Sequence, residues 1–554
     1  MKRHLLARHA RTVAAPLTAG VLTAGLLGAA CGPASARIGV PPAPTRPRAA
    51  TPVRPVAPCS SLTRRNFTGV PGAPGKVTSA RLVKRKPFGK IVTFCLVQGV
   101  FAAHTRFRML LPAATWHGQY VQQGCSTLCG SVPPVTDPEA GLTCPAVDNG
   151  ELALAADDEG HTGGPADGRW AKNSLWARVV FGVTSENSLD HMARAVITDY
   201  YGRPPAYSYY DGCSTGGREA LMLAQRFPAD FNGILAGSPA MNMAPQSAFF
   251  GTWMVRANTG PGGHQIVTAQ NIPALHAAVI RACGNAQGII TDPRQCGFNP
   301  ASIQCPRGTR GDSCLTSAQV AAVRAFYRGP ADPRGQSLAN GGEPYGSELG
   351  WVNEFVEPAS DRAAPGDSPE ARLALNYLKY MAFWPNPPAG FTLAGVKFTA
   401  REFSRVNELG NLIYNANNPD LRAFAARGGK LIMYHGWADQ AIPPWASLDY
   451  YAAVERTMGG FAASQSFSRL YMIPGAYHCL FGPDGKTVNL AGFLGKLIGW
   501  VQRGTAPGAV QADTYSIPRK KVIQHLTVRP YNALAPVHPA RGSLNAHYHY
   551  IGRY

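Results

Sequence analysis

Ser214 stands in Gly212-Cys213-Ser214-Thr215-Gly216-Gly217, between an aromatic run beginning at Tyr207 and an apolar helical pattern of Ala220, Leu221, Leu223 and Ala224. A serine hydroxyl is a weak nucleophile until the backbone exposes it and a base takes its proton. A strand-turn-helix corner of the form Gly-x-Ser-x-Gly provides the exposure, and its glycines are needed because a Cβ there would collide with the neighbouring strand and helix. The helix that follows adds free N–H groups and a partial positive charge, which favour an oxyanion. The bland alternative is a glycine-rich turn with a solvent serine. Against it, Ser214 is the chain's only serine with glycine at both −2 and +2.

Such a serine needs an imidazole within hydrogen-bond reach and an acid to orient it, and this corner is followed in chain order by Asp or Glu, then His, each on a loop just past a strand. Asp439 follows a strand-like run at 431–434, and His478 follows another at 470–473. Asp449 is a stand-in for the acid but lies inside a helical pattern; His435 and His104 are rivals for the base. The cysteines discriminate between these histidines. Cys213 precedes the serine and Cys479 follows His478, so an imidazole beside the hydroxyl brings the two flanking backbones to the roughly 5.5 Å Cα separation of a disulfide. The alternative is that each of these cysteines pairs elsewhere.

Strand patterns at 77–83, 91–97, 106–112, 116–125, 207–210 and 233–237, with helical patterns at 188–200 and 215–226, argue for a mostly parallel sheet with helices on both faces. Residues 59–240 then form a first core part and 406–554 a second, with a closing helix at 490–501 and a turn-rich tail. Between them, residues 241–405 break the alternation with Gly/Pro turns, four cysteines and many aromatic residues, Phe249, Trp351, Tyr377 and Phe383 among them. One helix is clear there, capped by Ser368 with Pro369 at its first position. An insertion of this size reads as a lid over the catalytic loops, with its aromatic groups placed to stack on a bound ring.

The first 36 residues read as an export signal: Lys2, Arg3, Arg8 and Arg11, an apolar stretch at 13–30, and Ala34-Ser35-Ala36 as cleavage site. Residues 37–58 read as a Pro-rich linker. Gly28-Ala29-Ala30-Cys31 is a degenerate lipoprotein sequence, so a lipid anchor at Cys31 is the alternative to free secretion, and an uncleaved anchor is a third. Removal of the segment takes four positive charges and lowers the net charge of +21 to +17. The basic residues do not concentrate; the densest stretches are 81–90 and 519–521. That distribution argues against a nucleic-acid partner. Export makes the twelve cysteines disulfide candidates, and loss of Cys31 leaves one of eleven unpaired. His547 and His549 near the end read as aromatic edge packing rather than metal ligands.

At Gly212-Cys213-Ser214-Thr215-Gly216-Gly217-Arg218, Ala236-Gly-Ser-Pro239, His435-Gly-Trp-Ala-Asp439-Gln-Ala-Ile-Pro-Pro444 and His478-Cys479 the chain resembles the tannase and feruloyl esterase family, from Cys59 to about Pro536. The resemblance implies an α/β-hydrolase fold with a large inserted lid domain. It implies Ser214, Asp439 and His478 as the triad, Cys213 with Cys479 as the bridge, and small-molecule or plant-polymer esters of aromatic acids as substrates. Gly124-Cys125 stands where the family has its oxyanion loop, which implies a Cys125 or Gly124 N–H acting with that of Thr215. Cys283 with Cys296, Cys305 with Cys314, and Cys59 with Cys95 are the further pairs expected, and one of Cys125, Cys129 and Cys144 is left over. Family lids carry an Asp-rich calcium loop. Here Cys283-Gly-Asn-Ala-Gln-Gly288-Ile-Ile-Thr-Asp292 offers one carboxylate, so no metal or other cofactor is expected. A serine peptidase of the same fold and a non-catalytic surface-binding protein are the competing functions.

Overall fold

Strand patterning and burial together explain the sheet at the centre of the computed structural model. The structure describes residues 51–86, 90–102, 104–133, 144–358 and 364–545. The expected export segment, Cys31, the linker up to residue 50, and His547 and His549 lie outside them. Nine strands form one sheet: β1 (Gly75–Arg85), β2 (Val92–Phe101), β3 (Thr105–Pro112), β4 (Gln119–Gln123), β5 (Leu152–Asp157), β6 (Tyr207–Cys213), β7 (Gly233–Gly237), β8 (Lys430–Gly436) and β9 (Ser468–Ile473). Their order is β1-β2-β3-β5-β4-β6-β7-β8-β9. The first three pair antiparallel, β3 meets β5 antiparallel, and from β5 onward every pairing is parallel. The loops at the carboxyl ends of β6, β8 and β9, which carry Ser214, Asp439 and His478, therefore all emerge on one edge of the sheet.

Helices of ten residues or more among the described residues are α1 (Ser185–Tyr201), α2 (Thr215–Arg226), α3 (Ile272–Cys283), α4 (Ser317–Arg328), α5 (Pro369–Tyr380), α6 (Ala400–Leu409), α7 (Trp445–Thr457) and α8 (Phe493–Arg503). Alternate residues of the parallel strands feed two cores. Ile234, Ala236, Leu431, Met433 and Leu470 pack with α1, α2 and α7, whereas Leu235, Ile432, Tyr434 and Tyr471 pack with Leu494, Leu497 and Trp500 of α8. Coverage of both faces is what parallel strands require. The edge strand β1 differs: Leu82 is exposed and Arg81, Lys84 and Arg85 point to solvent. The densest basic stretch thus occupies a sheet edge, where charge deters pairing with another chain.

One expectation is corrected, the start of the closing helix. Leu490 ends a short strand, Thr487–Leu490, paired with Asp513–Ser516, and α8 begins only at Phe493 after Gly492 at φ 63°. β5 lacked a sequence signal because its Leu-Ala-Leu-Ala-Ala-Asp run is short of β-branched and aromatic residues. The insertion leaves the sheet after β7 and returns at β8, its sheet neighbour, and holds α3, α4 and α6 besides the expected α5. α6 runs through residues 405 and 406. Val406, Ile413 and Tyr414 pack with Phe249, Tyr377 and Phe383 of the insertion and with Leu128 and Phe181 of the sheet's loops.

Five disulfides form: Cys59–Cys95, Cys125–Cys129, Cys213–Cys479, Cys283–Cys296 and Cys305–Cys314, with Cα separations between 4.9 and 5.9 Å. Cys144, buried, is the cysteine left over among the described residues. No helix among those residues is long and apolar enough to cross a membrane. Trp116, fully buried, stacks on Tyr201 at 3.9 Å and donates its indole N–H to the Gln119 carbonyl at 2.7 Å. Trp116→Ala is expected to destabilise the protein by about 3–5 kcal/mol, measured by chemical denaturation.

Candidate active site

β6 ends in Cys213, and Ser214 turns the chain into α2 with φ 63° and ψ −121°. A non-glycine residue holds such a conformation only where its surroundings impose it. Here the Ser214 N–H donates to the Gly237 carbonyl at 3.0 Å, and its own carbonyl accepts from Ala240 and Arg218 at 3.0 and 3.1 Å. The flanking glycines are sterically required: a Cβ on Gly212 would enter the backbone of Gly216, and one on Gly217 the backbone of Gly237. Ser214 is 9% exposed, and its hydroxyl has no hydrogen-bond partner among the described residues.

The acid and the imidazole come from the next two parallel strands. Asp439, fully buried, follows β8 and accepts the N–H groups of Ala441 and Ile442 at 3.1 and 2.8 Å. Nδ1 of His478, on the loop after β9, lies 2.9 and 3.0 Å from the two Asp439 oxygens. The His478 side chain is 21% exposed, so one side of the ring is held by the acid while the other remains reachable. The Cys213–Cys479 bond, with Cα atoms 5.9 Å apart, joins the residue before Ser214 to the residue after His478. A ring nitrogen of His478 lies within 4.8 Å of both bridging sulfurs.

Burial on its own would push the Asp439 carboxyl up. The charge and hydrogen bonds of His478 and His435 overcome that and hold it well below the usual carboxylate range. Burial likewise opposes charge on His478, but Asp439, with help from Glu354, raises the imidazole above its ordinary value. The rivals fall away on position. His435 sits behind the acid, its Nε2 3.2 Å from Asp439 and 2.7 Å from the Ile442 carbonyl, its Nδ1 2.8 Å from Ser447. His104 is exposed in the turn between β2 and β3. Asp449 lies within α7 and accepts from Asn340 at 3.0 Å.

The expected oxyanion loop is corrected in part. The Cys125 N–H donates to Glu219 Oε2 at 3.1 Å and the Gly124 N–H to the Asp211 carbonyl at 3.0 Å, so neither is free to bind an oxyanion. Glu219 was not foreseen. It also accepts the Tyr210 hydroxyl at 2.7 Å, and a Cβ on Gly124 would lie 2.5 Å from that hydroxyl and 2.6 Å from Glu219. Thr215, the first residue of α2, keeps its N–H free, as do Ser126 and Thr127 among the described residues. Thr127, at φ 52°, accepts the Thr215 hydroxyl on its carbonyl at 2.6 Å, which places this turn against the elbow.

A cavity of about 600 Å³ opens beside this turn, lined by Thr127, Pro165, Arg169, Glu354, Leu373 and others of the 164–167 loop and α5. It adjoins both ends of the site. Thr127 contacts Thr215, and Glu354 takes the Gln440 amide at 3.5 Å while Gln440 Oε1 accepts the His478 N–H at 3.4 Å. Gln440 follows Asp439 and was legible in principle; Glu354, in the insertion, carried no local signal. Most of the aromatic residues expected to stack on a ligand are instead packed into cores, Trp384 is half exposed, and none lines this cavity. The calcium loop of the resembling family finds no fit here. Asp292 is bonded to Arg294 Nε and Nη2 at 2.9 and 2.6 Å, and Asn285 Oδ1 accepts the N–H groups of Gln287 and Ile289.

The family model for tannase and feruloyl esterase matches residues 89–550. The chain is 30% identical over 472 residues to an uncharacterized esterase of Xanthomonas campestris pv. campestris, covering 78% of this chain and 79% of the relative. It is 28% identical over 489 residues to the mono(2-hydroxyethyl) terephthalate hydrolase of Piscinibacter sakaiensis, with 76% and 78% covered. The crystal structure of feruloyl esterase B from Aspergillus oryzae superposes with a TM-score of 0.71 at 22% identity, covering 88% of this chain and 98% of that one, a likeness of fold. The elbow, the buried acid and imidazole past successive parallel strands, and the match over most of the sequence place this chain in the tannase and feruloyl esterase family, as a carboxylic ester hydrolase of the α/β-hydrolase fold.

Proposed function

We propose that this hydrolase is exported and cleaves esters of aromatic carboxylic acids, of hydroxybenzoic or hydroxycinnamic type, by acyl transfer through Ser214, His478 and Asp439. The observation that carries the reading is the covalent link between the elbow and the imidazole loop, with the imidazole bonded on its far side to a buried carboxylate. His478 takes the Ser214 proton through Nε2 as the hydroxyl attacks the ester carbonyl, while Asp439 holds Nδ1–H and stabilises the imidazolium. The Thr215 N–H and the Ser126–Thr127 turn hold the alkoxide. His478 then protonates the departing alcohol, and the same base activates water to release the acid.

The cavity supports an aryl acid as the acyl group. It is within the usual size range for a small-molecule site, and Pro165, Ala166, Pro369 and Leu373 give it apolar walls. Burial raises Glu354 and pushes Glu370 up to about 8, so at neutral pH the Glu370 carboxyl keeps its proton and can donate to a phenolic or methoxy oxygen. Names among the relatives point the same way: feruloyl esterase, and hydrolase of a terephthalate half-ester. Export fits five disulfides, which an oxidising compartment permits; a lipid anchor at Cys31 is the variant of this reading.

Two outcomes are expected. Ser214→Ala abolishes turnover across a panel of gallate, ferulate and simple aryl esters, a loss of roughly 10³-fold or more in kcat; retained turnover overturns the assignment. Because His478 must be neutral to act as base and its pKa is raised, kcat/KM falls as pH is lowered through a midpoint above about 6.5. A pH-rate profile checks this, and Asp439→Asn moves the midpoint down as it lowers the rate.

A further inference from the structure

A second cluster of reactive groups lies behind the elbow, out of contact with solvent and outside the proposed chemistry. β5 runs into Asp157-Asp158-Glu159, α1 begins Ser185-Glu186, and α2 carries Arg218-Glu219. Asp157, Glu159, Glu186 and Glu219 are all at most 5% exposed. Most of their oxygens have partners: Asp157 accepts the Ser185 hydroxyl at 2.7 Å and the Glu159 N–H at 3.0 Å, Glu186 accepts the Gln122 amide, and Glu219 accepts from Cys125 and Tyr210. Glu159 is the exception. No donor group faces either of its buried oxygens, nor Oε1 of Glu186, and the Glu159 and Glu186 carboxyl groups lie close enough to share a hydrogen bond. Arg218 stands 3.7 Å from Glu219 but spends its Nη groups on the carbonyls of Gly182 and Phe181.

One carboxylate oxygen from each of Asp157, Glu159 and Glu186 lies within 4.8 Å of the others, and Glu159 and Glu219 are within the same distance of each other. A cavity of about 10 Å³ beside the group is lined by Glu159, Ser185, Glu186 and Glu219 on one side and by Phe181, Val183, Met222 and Leu223 on the other, room for about one atom-sized occupant. Dry carboxylates this close cannot all stay ionised unless a cation or bound protons take up their charge. We propose that Asp157, Glu159 and Glu186 form a buried site for one hard divalent cation, probed as calcium. The ion would act structurally: through Glu159 and Glu219 it would fix the Gly124-Cys125 loop against the elbow. The rival occupant is a proton shared between Glu159 and Glu186.

The test is elemental analysis of the full chain, purified without chelator and passed through metal-free buffer, with thermal unfolding in EDTA and in added calcium chloride. About one calcium per chain is expected, with an unfolding midpoint lower in EDTA by roughly 5 °C. Glu159→Gln, which keeps the side chain's shape, loses both the metal and the response to calcium, whereas Asp292→Asn in the 283–292 loop keeps them. A metal-free wild-type protein with equal midpoints in EDTA and calcium overturns the proposal and leaves the shared proton; metal lost in Asp292→Asn instead assigns the ion to the insertion and overturns it too. If Glu159→Gln does not fold, the wild-type metal content and the Asp292→Asn comparison still decide.

Discussion

The bond between Cys213 and Cys479 is the constraint on which the site depends. β6 and β9 are separated in the sheet by β7 and β8, and the two sulfurs are 266 residues apart in sequence. Packing alone would leave the loop after β9 free to swing at its tip. Closing so long a loop covalently removes on the order of 5 kcal/mol of chain entropy from the unfolded state. It also leaves the nucleophile and the imidazole each one residue away from a fixed point. The positive-φ backbone at Ser214 is held by its hydrogen bonds to Gly237, Ala240 and Arg218, and the bridge ties that turn to Cys479, itself at positive φ.

Asp439 supplies the second constraint. A carboxylate with no solvent exposure stays ionised only if its neighbours replace water, and here two backbone N–H groups and two imidazoles do so. The insertion enters this balance as well. Glu354 sits among the groups that raise His478, and Gln440 ties it to the imidazole loop. The domain that walls the cavity therefore also tunes the base, so a change in the insertion can alter rate as well as specificity.

What the sequence disclosed follows from the range of the interactions involved. The elbow is legible because Gly212, Ser214 and Gly216 meet one another within a single turn. Asp439 and His478 are legible because each follows a short strand with a mostly apolar run, at 431–434 and at 470–473. The oxyanion donors were misread at Gly124 and Cys125 because Glu219, about ninety residues on, takes the Cys125 N–H, and no local pattern announces that. The choice among Cys125, Cys129 and Cys144 stayed open for the same reason. β5 is alanine-rich and was passed over, yet its end carries the buried carboxylates. The insertion's aromatic residues suggest a ring-stacking surface; in three dimensions Phe326, Trp351 and Phe355 pack edge-on and tilted against one another instead, because an insertion of this length must first fill its own core.

The most direct measurement of the central claim is peptide mapping of the enzyme after treatment with one equivalent of a fluorophosphonate, alongside residual ester turnover. The account predicts a single adduct on the peptide containing Ser214, with activity lost in proportion to its formation. An adduct on any other residue, or full activity after quantitative labelling of Ser214, would contradict it.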